Sequence, residues 1–378
     1  MPAPARSATR LARPLAVPVL TAAVVAAGAV ALGGLHPTDA FASQHPTLPA
    51  RTPLQLLTAA ETSTTRALSG TVTEQAHWGL PSLPGADGAA SLSWQGLLTG
   101  SHTVRVAIDG PNRQRLAVLG SLSEADVVHN GQDVWTYTSA GNSVSHSTLP
   151  ARQAPSTKPA PDQPWATLTP QGAAQQLLDA IQPSTRITVD PTQRVAGRSA
   201  YTLVLTPKDG RSTVRKVAIA LDSQHFVPLR VQLYGAGANP AFETAFSSIS
   251  FTPPAASTFI FRAPAGARTA TDPFGFTGSK PGRADTHATA QPTVLGTGWA
   301  SVLKLPPMSG LASGGADPRH GSGSPASMLN SLTTPLGTSG ARVLHTAVIN
   351  ALITKDGRIY LGAVSVDLLQ AAAAGTYK

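Results

Sequence analysis

The chain has 378 residues, a formal net charge of +9 and no cysteine, which excludes disulfide scaffolds, zinc–thiolate sites, iron–sulfur clusters and thiol nucleophiles. Apolar residues make up 42% of the chain, enough for a buried core, and the 34 glycines and 33 prolines predict long connecting segments. The basic residues are scattered along the chain, so we expect no nucleic-acid partner. The net positive charge favours attraction to an anionic lipid or polymer surface instead.

The amino-terminal segment has the pattern of a membrane-targeting sequence. Residues 1–13 carry three arginines and no acid, and residues 14–35 are uncharged. This uncharged stretch is long enough to cross a bilayer as a helix, and the arginines predict a cytoplasmic amino terminus. Residues 1–42 are either a retained single-pass anchor or a signal peptide cleaved after Ala42, in an Ala-x-Ala triplet. Both alternatives place the remaining chain outside the cytoplasm, at the cell membrane or secreted.

Downstream of this segment, stretches in which apolar residues have helical spacing are followed by stretches in which they alternate as in a strand. Residues 52–68 and 169–181 have helical spacing, and each stretch opens with a threonine N-cap followed by proline. Alternating residues predict about six strands after the first helix and about five after the second. Asn130-Gly131 predicts a type I′ hairpin between two of these strands. Because most connections are short, we expect antiparallel neighbours.

These elements predict an α+β fold in three parts. A strongly curved antiparallel sheet of about 11 strands forms a half-open barrel wrapped round two helices and occupies residues 43–266. Residues 267–291 are rich in Gly, Pro, Ser and Thr and read as a linker. Residues 292–378 form a small carboxyl-terminal α+β module with three strands and a helix. Since two helices leave part of so large a sheet unfilled, we also predict an apolar cavity.

Seven apolar residues on three predicted strands are candidates for the face that lines this cavity. Trp135 and Tyr137 lie two positions apart and therefore share one face of their strand. Their rings suit either a packed core or the rim of a pocket. Ordinary core packing without a ligand is the alternative interpretation for the whole set. The candidates are Val104, Val106, Ile108, Leu116, Val118, Trp135 and Tyr137.

No motif for catalysis accompanies these residues. The chain has no Walker-type phosphate loop, no His-Glu-x-x-His and no Gly-x-Ser-x-Gly. His102, His129 and His146 fall on or beside strands, and the nearby acids fall at turns, where Asp usually bonds to backbone. We therefore predict a non-enzymatic binding protein with no catalytic residue, no metal site and no cofactor.

The stretch from Ser101 to Leu149 resembles the LolA/LppX/RseB superfamily of lipoprotein carrier-like proteins. The matching motifs are Gly110-Pro111-Asn112, Val127-Val128-His129-Asn130-Gly131 and Val134-Trp135-Thr136-Tyr137. Residues 195–203 and 226–231 are similar to later strands of the family, so that the resemblance covers about 52–263. In the lipoprotein carriers an Arg precedes the proline of the first motif and locks a helical lid. Gly110 occupies that place here, so the resemblance extends to the pocket but not to the lid cycle.

The resemblance implies a half-open barrel with a cavity for acyl chains. The expected function is an extracytoplasmic, membrane-associated carrier or chaperone that holds lipid or lipoprotein acyl chains and delivers them to a membrane or to a partner such as an ABC transporter. The alternative is an RseB-like regulator of envelope stress that binds an anti-sigma factor, with the carboxyl-terminal module making the protein contact. The excess of Arg over Lys and the abundance of Ala are typical of GC-rich genomes and favour an actinobacterial source.

Overall fold

The computed structural model describes residues 46–79, 100–119, 123–149, 181–269, 292–307 and 332–377. The predicted anchor lies outside these ranges, as do nearly all of the second predicted helix and of the predicted linker. Within them, no helix combines the length and apolar character that a membrane span requires.

The first helix, α1, spans Pro53–Glu61 and begins where the sequence predicts. Thr52 and Gln55 form a capping box: the Gln55 backbone N–H donates to the Thr52 hydroxyl, and the Thr52 backbone N–H donates to the Gln55 side chain. The helix is shorter than predicted, because the chain has already entered the first strand at Ala67.

Twelve strands form the main sheet, and six form a second one. The bounds in the main sheet are β1 Ala67–Ala76, β2 Gly100–Asp109, β3 Arg113–Leu119, β4 Glu124–Asn130, β5 Asp133–Thr138, β6 Ser143–Thr148, β7 Thr185–Val195, β8 Arg198–Pro207, β9 Lys216–Asp222, β10 Pro228–Tyr234, β11 Phe242–Ser250 and β12 Arg268–Thr269. Those in the second sheet are β13 Thr293–Leu295, β14 Val302–Leu305, β15 Thr334–Leu336, β16 Ala341–Leu344, β17 Asn350–Ile353 and β18 Ile359–Gly362.

The main sheet has the strand order β12-β6-β5-β4-β3-β2-β1-β11-β10-β9-β8-β7. Strands β1 to β11 pair antiparallel throughout, which confirms the predicted large antiparallel sheet. The two-residue strand β12 adds in parallel to β6. Within the described residues the end strands β12 and β7 do not pair with each other, so the sheet is open and a closed barrel is not formed.

The sheet is curled at its β7 end. A bulge between Asp190 and Gln193 bends β7. Beyond the bulge, the Gln193 side chain accepts a hydrogen bond from Arg230 of β10, although β8 and β9 separate these strands in the sheet order. This contact ties β7 to β10 across the two strands that lie between them.

The two faces of the sheet can be followed through directly paired residues, because partners in an antiparallel pair point to the same side. From β3 to β8 one side runs through Val118, Val104, Val72, Phe246, Thr244, Val231, Ile219 and Leu203. Leu203 belongs to a core cluster with Leu56 of α1 and Ile181, the last residue of the second predicted helix. We call this helix-covered side the inner face and the opposite side the outer face.

The hairpins differ in detail from the prediction. Asn130 pairs with Asp133, so the loop between β4 and β5 is Gly131–Gln132. Of these residues only Gly131 has a positive φ, which makes the turn type II′ rather than the predicted type I′. A turn with two positive φ values joins β7 to β8 instead, at Ala196 and Gly197.

The second sheet is antiparallel with the order β13-β14-β18-β17-β16-β15, and the helix α2 (Val366–Ala373) contacts β17 and β18. It has six short strands where the sequence predicts three. Two apolar stretches of the sequence, 293–304 and 343–354, each form two strands: a 3₁₀ turn at Gly298–Ala300 separates β13 from β14, and residues 345–349 separate β16 from β17.

The two sheets are joined by hydrogen bonds and by apolar packing. The backbone N–H of Ala347 donates to the Trp78 carbonyl at 2.7 Å, and the Trp299 indole N–H donates to the Thr185 hydroxyl at 2.7 Å. Val348 of the second sheet's loop is buried with Val214, beside the β9 end of the main sheet. The second sheet therefore lies against the edge of the inner face where Trp78 is located.

Candidate functional site

Five of the predicted cavity residues lie together on the inner face. The neighbouring strands β2 and β3 pair Val104 with Val118 and Val106 with Leu116, and Ile108 follows on the same side of β2. Val104 and Val118 are buried, whereas Val106, Ile108 and Leu116 are half-buried. The aliphatic surface is therefore continuous and becomes more accessible toward the Ile108 end of β2.

The prediction that Trp135 and Tyr137 share this face is wrong. Trp135 pairs with Val128, which pairs with Arg115, and Tyr137 pairs with Asp126. These partners alternate with the inner-face residues of β3 and β4, so both rings lie on the outer face. The two aromatic residues do share a face of β5 with each other, as predicted.

The outer face near these rings is covered by residues 251–267, which we call the outer strap because they cross from β11 to β12. Trp135 stacks between His146, with ring centroids 4.0 Å apart, and Phe261 of the strap, at 5.3 Å. Phe259 of the strap is buried. Trp135 thus helps to fix the strap to the sheet.

An ion pair lies beneath the strap. Arg115 donates to both carboxylate oxygens of Asp126, at 3.2 and 2.6 Å, and to the Thr258 carbonyl of the strap at 3.2 Å. Burial raises the pKa of Asp126, and the hydrogen bonds from Arg115 only partly oppose this. A cleft of about 480 Å³ opens beside the pair, with Tyr137 and Arg262 in its lining. These contacts hold the outer strap against the main sheet.

Glu74, a residue not among the sequence candidates, lies near the middle of the inner face. It is only 1% exposed and pairs with His102 of β2 and Thr244 of β11. Among the described residues its Oε2 has no hydrogen-bond partner. Burial raises the pKa of this carboxyl group to about 7. Alternation along the strand places Glu74 on the same face as Val72, two positions earlier, but does not indicate that this face is buried.

Trp78 lies farther along the same side of the chain, just after β1. Its ring stacks on Phe242 with centroids 5.7 Å apart and packs against the buried cluster of Val214, Ala241 and Val348. The indole Nε1 is buried and lacks a hydrogen-bond partner in the described part of the chain. The inner face therefore carries two such polar atoms at this end of β1, and a third, Thr136 Oγ1, lies on the same face beyond Leu116 and Val127.

The described residues contain no group of three His, Asp or Glu side chains placed to hold a metal ion. What the inner face offers is non-covalent: aliphatic area, a buried carboxyl group and a buried indole N–H. Burial of a ligand's apolar surface there would contribute about 25 cal/mol per Å². The fold and this surface define a curved-sheet domain with one aliphatic face.

Residues 92–263 match the family model described as the MucB/RseB N-terminal domain. The matched region contains the three motifs on which the predicted resemblance depends, at 110–112, 127–131 and 134–137. The predicted resemblance to the LolA/RseB-like superfamily is therefore confirmed for this part of the chain.

Several solved structures are similar to the chain. The complex of MucA and MucB from Pseudomonas aeruginosa aligns at 14% identity with a TM-score of 0.41, covering 85% of this chain and 95% of that one. A LolA superfamily protein from Nitrosomonas europaea aligns at 12% identity with a TM-score of 0.21, covering 56% of this chain and 99% of that one. An outer membrane lipoprotein-sorting protein domain from Vibrio parahaemolyticus gives 13% identity and a TM-score of 0.21, covering 55% and 95%. No curated protein matches the chain.

Proposed function

We propose that the protein is an extracytoplasmic, membrane-associated binding protein that holds lipid or lipoprotein acyl chains on the inner face of its main sheet. The observation that carries the proposal is the aliphatic surface of Val104, Val106, Ile108, Leu116 and Val118, which is buried at one end and accessible at the other. The family match of residues 92–263 supports it. Binding is non-covalent, and each buried CH₂ group of the ligand contributes about 0.8 kcal/mol.

The proposal is tested by native mass spectrometry of the protein purified gently from its own membrane, followed by lipid titration. We expect a bound lipid or acylated peptide of discrete mass. Leu116→Gln should weaken binding about tenfold, because it places a polar group on the inner face.

Leu119→Gln is the matched control, since Leu119 is also half-buried on β3 but lies on the outer face, where it pairs with Glu124. It should leave lipid binding unchanged. If the wild-type protein takes up no lipid, or if both variants bind equally well, acyl-chain binding on the inner face is refuted.

A second candidate function is RseB-like regulation through an anti-sigma factor. It is favoured by the family model, whose description names MucB and RseB, and by the solved complex of MucB with MucA among the similar structures. Calorimetry with the extracytoplasmic segment of an anti-sigma factor from the same genome tests it. Saturable binding that Leu116→Gln leaves intact supports this function, and absence of heat at high concentration refutes it.

A further inference from the structure

Two of the unpartnered polar atoms of the inner face belong to one segment of the chain, formed by β1 and the residues directly after it. Glu74 and Trp78 are four positions apart, which corresponds to about 13 Å along an extended chain. In the other direction from Glu74, the inner face continues through Val72 to the aliphatic residues of β2, since Val72 pairs with Val104. One side of the sheet thus changes from polar and aromatic at Glu74 and Trp78 to mainly aliphatic along β2.

Both polar atoms are buried without partners. A buried donor or acceptor that has lost water and gained no hydrogen bond destabilises the folded protein, typically by a tenfold or larger change in the folding equilibrium. Folded proteins leave few such groups, and those that persist call for an explanation. Here three occur on one face: Glu74 Oε2 and Trp78 Nε1 lie at one end of the surface proposed to hold acyl chains, and Thr136 Oγ1 lies across the sheet from Val106.

We propose that Glu74 and Trp78 donate hydrogen bonds to the ester carbonyl oxygens of a diacyl glyceryl lipid whose chains lie along Val104, Val106 and Ile108. This inference rests on the proposed acyl-chain function and deepens it, because it assigns the position of the head and the linkage by which the chains are attached.

The chemistry of the two groups selects this class of ligand. An indole N–H is a donor only, and a protonated carboxyl group adds an O–H donor. Because burial raises the pKa of Glu74 to about 7, the donor form is present at and below neutral pH. The ionisable side chain opposite Glu74 is His102 on β2, while β11 presents Thr244. Two donors suit two acceptors, as in a diester, whereas an anionic phosphate would be repelled by any ionised fraction of Glu74.

The test compares two probes on the full chain: dioleoylglycerol and its dioleyl ether analogue, which has the same chains but no carbonyl groups. We expect the wild-type protein to bind the diester about tenfold more tightly than the diether. Glu74→Leu and Trp78→Phe should each reduce this preference, since each removes one donor, and Glu74→Gln should keep part of it through its amide N–H. Glu243→Leu, on the outer face of β11, is the control that should keep the full preference.

Raising the pH from about 6 to about 8 should weaken diester binding by the wild-type protein and leave Glu74→Gln unaffected, because only the acid loses its proton in that range. If Glu74→Leu does not fold, Glu74→Gln and Trp78→Phe carry the comparison. Equal binding of the two probes by the wild-type protein would overturn this inference and leave the proposed function in place. Binding of neither probe would instead overturn the proposed function.

Discussion

The turn between β9 and β10 is held by a buried ion pair whose removal should destabilise the protein measurably. Asp222 is fully buried, and its carboxylate accepts hydrogen bonds from Arg198 Nε at 2.5 Å and Nη2 at 3.1 Å. It also accepts the backbone N–H groups of Gln224 and His225, at 3.0 and 2.7 Å. Four donors therefore converge on one carboxylate, and we predict that Asp222→Asn lowers the free energy of unfolding.

The magnitude follows from these bonds. Hydrogen bonds to a charged group contribute about 1.5–3 kcal/mol each, against about 0.5–1.5 kcal/mol for neutral pairs. Asn keeps one acceptor oxygen for the backbone donors but turns an N–H₂ group toward the guanidinium. Because Arg198 is 26% exposed and water can replace part of the loss, we expect a decrease of about 2–3 kcal/mol for Asp222→Asn.

The effect has a definite pH dependence. Burial alone would raise the pKa of Asp222, but the hydrogen bonds from Arg198, His225 and Gln224 outweigh it and hold the pKa below its usual range. A carboxyl group with a lowered pKa in the folded state stabilises fully above its unfolded pKa, about 3.9, and loses that contribution as the pH falls through the folded value. The difference between wild type and Asp222→Asn should therefore be largest near neutrality and shrink below about pH 4.

Urea denaturation of the wild type, Asp222→Asn, Arg198→Leu and the double variant measures these quantities. We expect a coupling energy above about 1 kcal/mol between the two sites. Asp209→Asn, which breaks an exposed ion pair with Arg211, is the control and should change little. Additive single variants, or a difference that does not depend on pH, would show that the pair does not hold this turn.

Two further substitutions test the backbone geometry. Ala196 has a φ of 50° in a turn whose next residue is Gly197, so Ala196→Asn should raise the free energy of unfolding by about 0.5–1 kcal/mol, measured in urea, and a decrease would contradict the turn assignment. A Cβ on Gly235 would lie 2.2 Å from the Ala347 carbonyl oxygen, so Gly235→Ala should separate the second sheet from the main one. Faster hydrogen exchange at Ala347, whose N–H bonds to Trp78, would be the sign of this, and unchanged protection would refute it.

The strands themselves could be predicted because alternation of apolar residues is local information. Val104, Val106 and Ile108 alternate on one strand, and β2 forms there. The same local rule correctly placed Trp135 and Tyr137 on one side of β5. Short connections likewise allowed the antiparallel pairing to be predicted.

The relation between faces of different strands could not be predicted from alternation alone. Whether Trp135 joins Val118 depends on the register of β3 against β4, where Leu119 pairs with Glu124 across a short connection. A shift of one residue in that register would move every side chain of β4 to the opposite face. The sequence of β4 does not indicate which of its two faces is the inner one. Ala125 and Val127 lie on one face and Asp126 and Val128 on the other, so both faces are partly apolar.

Glu74 was missed for a different reason. A carboxyl group in a strand is ordinarily assigned to solvent, and only the structure reveals that both sides of its strand are paired, by β2 and β11. The neighbouring strand β11 comes from a segment about 170 positions later in the chain. No local pattern could indicate that these two segments are adjacent.

The short strand β12 has a consequence for self-association. An open sheet of this size exposes unpaired backbone groups at its two outermost strands, and such edges promote edge-to-edge polymerisation. The chain blocks the start of β6 with its own residues Arg268 and Thr269, and it interrupts β7 with Pro191, which has no N–H to offer. Both borders are thereby made poor templates for pairing with the edge of a second molecule.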